Sequence, residues 1–206
     1  MKAKSIDSDI FISHSHGDRD NAISLAGYLK QNFGINAFID SCIWGNSSVL
    51  LKKIDNEYCK NINEQTYSYE KRNESTSHVH MMLSVALTKM INKTECLFFL
   101  NTPNSVTSSG VVNKTASPWI YSEIATAQMI RKPLEFHRQL GTKYFSKGGI
   151  LNERLNVEYD LQLDDFFELD ADDLKAWSIN WKVNKRGNSL DNLYKLHPPL
   201  NSVIHS

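Results

Sequence analysis

Short apolar runs alternate with stretches of helical periodicity along residues 8–135. The apolar runs predict β-strands at residues 9–13, 36–40 and 95–101. In three further segments apolar positions recur every three or four residues, which predicts helices at residues 20–33, at residues 78–91 and from Ser117 onward. The third strand contains the run Cys-Leu-Phe-Phe-Leu, which is typical of a strand covered on both faces, so we expect it to be central.

Strand–helix alternation predicts an α/β fold, namely a doubly wound, mostly parallel sheet of flavodoxin-like order with C-terminal helical embellishment. The first helix is expected to end at Gly34 and to face the core with Ile23, Ala26, Leu29 and Phe33. Ligands of such sheets bind beyond the carboxyl ends of the strands. The candidate site is therefore expected in three polar segments, residues 13–19, 40–48 and 101–118.

The pattern weakens after residue 131, and we expect one domain over residues 1–206, in which residues 136–206 complete or decorate a core at 8–135. A strand is predicted within 155–163, and helices are predicted at 171–181 and Ser189–Leu196. Trp177 and Trp181 are expected to pack in the core. Residues 56–77 form either a functional loop or an excursion packed by its tyrosines, and residues 102–116 are predicted to be a mobile loop.

Charge and composition narrow the classes of partner. The chain has 23 basic and 23 acidic residues and no basic run, which argues against nucleic acid as the main partner. No apolar run approaches the roughly 18–20 residues that span a bilayer, and the N-terminus lacks a signal-peptide pattern, so we expect a cytoplasmic protein without a membrane partner. Cys42, Cys59 and Cys96 are expected to be thiols.

Glu123 is the strongest candidate for chemistry. Ser117 is a predicted N-cap, Pro118 suits the first helical position, and Trp119 lies four residues before Glu123, on the same helix face. A carboxylate beside an aromatic wall suits cleavage of a glycosidic bond, because the transition state resembles an oxocarbenium ion. The alternative is an acid that is merely solvated in the first turn, where the helix dipole favours negative charge.

Together with the sequence Asp-Ile-Phe-Ile-Ser-His-Ser that begins at Asp9, this segment resembles the TIR (Toll/interleukin-1 receptor) domain over residues 8–135. The resemblance is to stand-alone bacterial TIR proteins of Thoeris-like anti-phage defence. It implies a TIR fold, cleavage of NAD with release of nicotinamide, and Glu123 as the catalytic acid. It also implies a cyclic or conjugated ADP-ribose product sensed by a separate effector, and assembly with other TIR subunits. NAD would be the substrate, and no cofactor is expected.

The resemblance and the polar segments together suggest which residues bind NAD. Phe11 and Ser13 match the family pattern of the first strand, and His14 stands where many members have Tyr. Arg19 is a candidate for binding the pyrophosphate, with His14 or His16 as further donors. Trp44 lies in the segment that corresponds to the BB loop of the family. The expected substrate-binding residues are Phe11, Ser13, His14, Arg19, Trp44, Ser48 and Trp119.

The sequence argues against a metal site and a receiver domain, but it leaves two other functions open. The pairs His14/His16 and His78/His80 lack a convincing set of further ligands, so no metal site is expected. A receiver-type phosphoacceptor needs an acidic pair after the first strand and an Asp after the third, where this chain has Ser13-His14 and Asn101. Two alternatives stay open, namely a non-catalytic TIR scaffold that acts by homotypic assembly and an enzyme similar to nucleoside deoxyribosyltransferases.

Overall fold

A computed structural model of the chain describes residues 7–43, 47–61, 66–109, 112–131, 157–164 and 166–197. The strands are β1 (Ile10–Ser13), β2 (Ala37–Phe38), β3 (Cys96–Phe99), β4 (Thr107–Ser109), β5 (Val112–Thr115) and β6 (Tyr159–Leu161). The helices are α1 (Arg19–Phe33), α2 (Asp40–Ile43), α3 (Ser47–Ile54), α4 (Tyr69–Lys93), α5 (Pro118–Arg131), α6 (Ala171–Val183) and α7 (Ser189–Leu196). A 3-10 turn spans His16–Asp18, and a π-helical turn spans Asp55–Cys59. Within these ranges, no helix combines the length and the apolar character needed to cross a membrane.

The first sheet is parallel and has the strand order β2-β1-β3. Residue Ile10 pairs with Ala37 on one side and with Cys96 on the other, so β1 is the central strand. All four residues of β1 are buried, whereas those of β3 are half-buried. The predicted α/β class is confirmed. The prediction that the third strand is central is wrong for the described part of the sheet, because an apolar run indicates burial but not strand order.

Helices cover both faces of β1, because alternate residues of a strand point to opposite faces. On one face Ile10 and Ile12 pack in a cluster with residues of α1, α6 and α7. On the other face Phe11 packs against Phe38 and residues of α4 and α5. The central strand is therefore shielded from water on both sides.

The second sheet is antiparallel, with the order β4-β5-β6. Its strands β4 and β5 lie within residues 102–116, so the prediction of a mobile loop there is wrong for Thr107–Ser109 and Val112–Thr115. The strand expected within 155–163 is present as β6, which pairs with β5. The sequence of β4 and β5 is polar and gives little indication of a strand. The strand β6, with which β5 pairs, also lies more than 40 residues later in the chain.

Helix α4 begins at Tyr69, nine residues before the predicted start at residue 78. Ser68 caps it, with its Oγ accepting a hydrogen bond from the backbone N–H of Lys71 at 3.4 Å. The first turns are polar and exposed, so no apolar stripe marks them in the sequence. Tyr58 and Tyr69 are 66% and 79% exposed, so these two tyrosines do not pack the segment.

Helix α1 ends as predicted at Gly34, whose φ of 76° is left-handed and whose N–H bonds the carbonyl of Lys30. Leu29 and Phe33 are buried as expected. Ile23, however, is 41% exposed, and Ala22 is buried instead. The helix is therefore rotated relative to the predicted core-facing stripe.

Helices α6 and α7 pack against α1 through Trp177, which is fully buried. Its ring stacks on Phe33 with centroids 3.7 Å apart, and its Nε1 donates a hydrogen bond to the carbonyl of Ser189 at 3.0 Å. Trp181 is half-buried against the same cluster. The prediction that both tryptophans pack in the core is confirmed.

A substitution at Trp177 tests whether the C-terminal helices belong to the same folding unit as the sheet. We expect Trp177→Ala to lower the free energy of unfolding by about 3–5 kcal/mol while unfolding stays a single transition, because a large buried ring is lost. Ile179→Ala, which alters a side chain that is 57% exposed in the same helix, should change it by less than about 0.5 kcal/mol. Denaturant titration followed by circular dichroism measures both. A separate, early transition of the variant would show two folding units.

Candidate functional site

Glu123 meets the central strand at the carboxyl end of β1. Helix α5 begins at Pro118, and the Oγ of Ser117 accepts a hydrogen bond from the N–H of Ile120 at 3.3 Å, which confirms the predicted N-cap. Ile120 and Ile124 are buried and fix the helix against the core. In this position the Oγ of Ser13 donates a hydrogen bond to Oε2 of Glu123 at 2.6 Å.

The carboxyl group of Glu123 is removed from water. Glu123 is only 3% exposed, and Ser13 is fully buried. Burial raises the pKa of Glu123 well above its ordinary value, and the negative charge of Asp40 raises it further, while the hydrogen bond from Ser13 opposes both. Glu123 is therefore not the solvated acid of the alternative interpretation, and it retains its proton at a pH at which an exposed glutamate is ionised.

Asp40 is a second acid at this edge of the sheet, and the sequence interpretation did not select it. It begins α2 directly after β2, which runs parallel to β1. Burial raises the pKa of Asp40, and the nearby His14 opposes the shift. Its position in the sequence could have identified it, because a carboxylate that follows a strand parallel to β1 lies at the same sheet edge as the end of β1.

His14 joins the end of β1 to α2. It is buried, its Nδ1 lies 3.2 Å from the carbonyl oxygen of Ile12, and its Nε2 lies 2.8 Å from Oγ of Ser41. Nδ1 also lies 3.7 Å from Oδ1 of Asp40. A proton on Nδ1 satisfies the carbonyl and leaves Nε2 to accept from Ser41. His14 thus fixes the geometry around the two carboxyl groups.

Asp18 connects the loop after β1 to the loop after β3. Burial alone would raise its pKa, but hydrogen bonds from surrounding side chains outweigh this effect and lower the pKa of Asp18 to about 2. Its donors are Ser15 at 2.6 Å, Thr102 at 2.5 Å, Asn104 at 3.1 Å, Asn21 at 3.3 Å and Ser105 at 3.4 Å. Asp18 therefore holds together two of the segments that form the rim of the site.

The other residues that were expected to bind substrate are dispersed. Phe11 is fully buried and stacks on Phe38, with ring centroids 5.4 Å apart. Trp119 is half-buried and packs against α4, where its ring centroid lies 5.5 Å from that of His80. Arg19 is exposed at the first position of α1.

Two further candidates lie away from Glu123 or outside the described residues. Ser48 is on α3 and lines a cavity that Glu123 does not line. Trp44 lies outside the described residues. The structure therefore brings Ser13 to the Glu123 carboxyl and places Asp40 close enough for its charge to act on Glu123, while His14 contacts Asp40.

The described histidines and cysteines outside the surroundings of Glu123 do not gather into a possible metal centre. Within the described residues, no three His, Cys, Asp or Glu side chains come together in a way that could hold an ion. Nε2 of His78 lies 4.0 Å from Oε1 of Glu74, one turn earlier in α4, and both side chains are exposed. Cys42, Cys59 and Cys96 are not joined in disulfides.

The raised pKa of Glu123 has a measurable effect on stability. Above pH 4.5, the ordinary value for Glu, the folded chain keeps a proton on Glu123 that the unfolded chain releases, so wild-type stability falls as pH rises towards the folded pKa. Glu123→Gln has no such proton and can still accept the hydrogen bond from Ser13. We expect its free energy of unfolding, relative to wild type, to increase from pH 4 to pH 8.

Urea titrations at several pH values measure this difference. Glu168→Gln, the same change at an exposed position, serves as the control and should show no such trend. A difference between Glu123→Gln and wild type that is constant across this range would contradict the raised pKa.

Comparisons of the chain with models of protein families, with curated proteins and with solved structures find no match. The interpretation of the site therefore depends on its geometry. That geometry consists of a buried carboxyl group at the carboxyl end of a parallel strand, a second acid that acts on it, and a histidine that orients the surrounding backbone.

Proposed function

We propose that the chain is a TIR-type enzyme that cleaves the glycosidic bond of NAD between ribose and nicotinamide. The observation that carries this proposal is the buried Glu123 carboxyl, hydrogen-bonded by Ser13 and raised in pKa beside Asp40. A strongly perturbed acid at a strand end is characteristic of functional sites. The strand order β2-β1-β3 also agrees with the start of a flavodoxin-like, doubly wound sheet, of which the TIR fold is one kind.

The proposed chemistry uses the ionised form of Glu123. When the bond between C1′ of the ribose and the ring nitrogen breaks, the bonding electrons leave with nicotinamide, which departs as a neutral base, and positive charge develops on the ribose. A carboxylate in a site without water stabilises that charge more strongly than an exposed one. The pyridinium ring of NAD is cationic, so its binding beside Glu123 favours release of the proton that burial keeps on Glu123 in the free protein.

Asp40 and His14 have different roles in this proposal. Asp40 supplies a second negative charge at the rim, suited to accept hydrogen bonds from ribose hydroxyls. His14 is a positioning residue, because its two ring nitrogens are engaged by Ile12 and Ser41. Contacts of NAD with Arg19, Trp44 and Trp119 rest on the sequence resemblance.

The biological context is also part of the proposal and also rests on the resemblance. The product would be an ADP-ribose derivative, formed when water, an internal nucleophile or an added amine captures the ribosyl cation. In Thoeris-like defence such a product signals to a separate effector, and the enzyme assembles with other TIR subunits. Mass spectrometry of the products identifies the nucleophile.

Replacing the carboxylate tests the assignment directly. We expect Glu123→Gln to lower kcat/KM for NAD by about a hundredfold or more, the scale of losing a main electrostatic stabiliser. Chromatographic measurement of released nicotinamide follows the reaction, and Glu168→Gln should retain wild-type activity. Full activity in a folded Glu123→Gln variant would refute the catalytic role. Cleavage of nucleosides but not of NAD would favour the deoxyribosyltransferase alternative, and no cleavage by wild type would favour the scaffold.

The pH dependence of activity tests whether Glu123 acts in its ionised form and whether Ser13 and Asp40 set its pKa. Activity should fall at acidic pH as Glu123 gains a proton, so the acidic limb of kcat/KM reports its pKa. Removing the Ser13 hydrogen bond in Ser13→Ala should move that limb to higher pH, because the bond lowers the pKa. Asp40→Asn should move it to lower pH, because a like charge is removed.

Opposite shifts in these two variants are the diagnostic result. A merely structural role of Ser13 and Asp40 would lower activity without moving the limb in opposite directions. Shifts of the same sign in both variants would therefore reject this electrostatic account of the site.

A further inference from the structure

A cavity lies between α3, the π-helical turn and the beginning of α4. Its volume is about 420 Å³, and it is lined by Ser48, Leu51, Lys52, Asp55, Tyr67 and Arg72. The first four follow the helical spacing i, i+3, i+4 and i+7, so they form one continuous face along α3 and into the turn. Glu123 and Ser13 do not line it, so this cavity is separate from the candidate active site.

A buried carboxylate fixes the orientation of Arg72 in this cavity. The side chain of Asp55 is 10% exposed, and its Oδ2 accepts a hydrogen bond from Nε of Arg72 at 3.0 Å. Its Oδ1 accepts from Oγ of Ser75 at 3.1 Å. Both carboxylate oxygens are thus engaged. The charge of Asp55 therefore holds the guanidinium at the wall of the cavity.

Arg72 keeps donors available for a ligand. Its guanidinium carbon lies 5.5 Å from the ring centroid of Tyr67, whose face further restricts its position. Nε donates the hydrogen bond to Asp55, and the Arg72 side chain lines the cavity and is 54% exposed, so a ligand in the cavity can reach its terminal N–H groups. The usual entropic cost of ordering an arginine on binding is reduced, because the side chain is already held.

The charges of the lining residues favour an anion. Lys52 and Arg72 contribute two positive charges, and the single negative charge, on Asp55, is paired with Arg72. We propose that this cavity binds a small molecule that carries a phosphate or diphosphate group. The forked donors of Arg72 match two oxygens of a phosphate, and the ammonium of Lys52 adds a second cation. The cavity volume lies within the range of about 300–1,000 Å³ that is usual for small-molecule sites.

This site goes beyond the proposed cleavage of NAD, because none of its residues belongs to the Ser13–Glu123 pair. Its two walls come from α3 and from the first turn of α4. A bound phosphate would bridge these helices and stabilise the folded chain by mass action. The π-helical turn beneath it is a feature that often accompanies functional sites.

Isothermal titration of the full chain with inorganic phosphate, inorganic pyrophosphate and ADP tests the proposal. We expect at least one of the three to bind, and Lys52→Gln and Arg72→Gln each to weaken that binding about tenfold or more, the scale of a lost charge-assisted hydrogen bond. Free phosphate, a diphosphate group and a nucleotide are distinguished by which probe binds most tightly. Lys53→Gln is the matched control on α3, since Lys53 does not line the cavity, and it should bind as wild type does.

Arg19→Gln separates this site from the predicted pyrophosphate contact near Glu123. Loss of binding in Arg19→Gln with unchanged binding in Lys52→Gln would overturn the proposal and place the anion at the first site. Absence of binding by all three probes, or equal affinity of Lys52→Gln and Lys53→Gln, would also overturn it. If Arg72→Gln does not fold because Asp55 loses its partner, the affinity of Lys52→Gln alone shows whether the anion binds in this cavity.

Discussion

The hydrogen bond between Ser13 and Glu123 is the contact on which the arrangement of the site depends. The central strand β1 is buried on both faces and ends in a fully buried hydroxyl, which needs a partner away from water. Glu123 supplies that partner from α5, and its own carboxyl would be costly to bury alone. Each group satisfies the other. The bond therefore sets the distance between the strand and α5 at the edge where ligands of such sheets bind.

Comparison of Glu123 with Asp18 shows why only one of the two is a candidate for catalysis. Both acids are buried, but Asp18 accepts hydrogen bonds from several side chains, which lower its pKa to about 2. Its ionised form is stabilised by the fold, as suits a residue that holds loops together. Glu123 accepts one hydrogen bond, and burial, together with the charge of Asp40, raises its pKa. Burying an acid beside a like charge lowers the stability of the fold, and such a cost is typical of catalytic residues.

Much of the fold and of this site was predictable where the determining signal is local. The positions of β1 and α1, the N-cap at Ser117 and the place of Glu123 on α5 all follow from residues within one or two turns of each other. The strand order, the antiparallel sheet and the closeness of Asp40 to Glu123 depend on pairing between distant segments. Periodicity reports which residues are buried, but not which element buries them.

The segment from Asp40 to Cys59 shows how the prediction of Ser48 and the structure diverge. In the sequence Ser48 follows the second strand closely and so belongs to the polar segments expected at the sheet edge. In the structure Ser48 is the second residue of α3 (Ser47–Ile54), a helix that the sequence analysis did not predict. Ser48 consequently shares its helix face with Lys52 and Asp55. One short stretch of chain thus contributes one carboxyl group to the surroundings of Glu123 and another to the cavity beside α3. At one end Asp40 perturbs Glu123, and at the other Asp55 is neutralised by Arg72, so the partner of each acid, more than its place in the sequence, decides its chemistry.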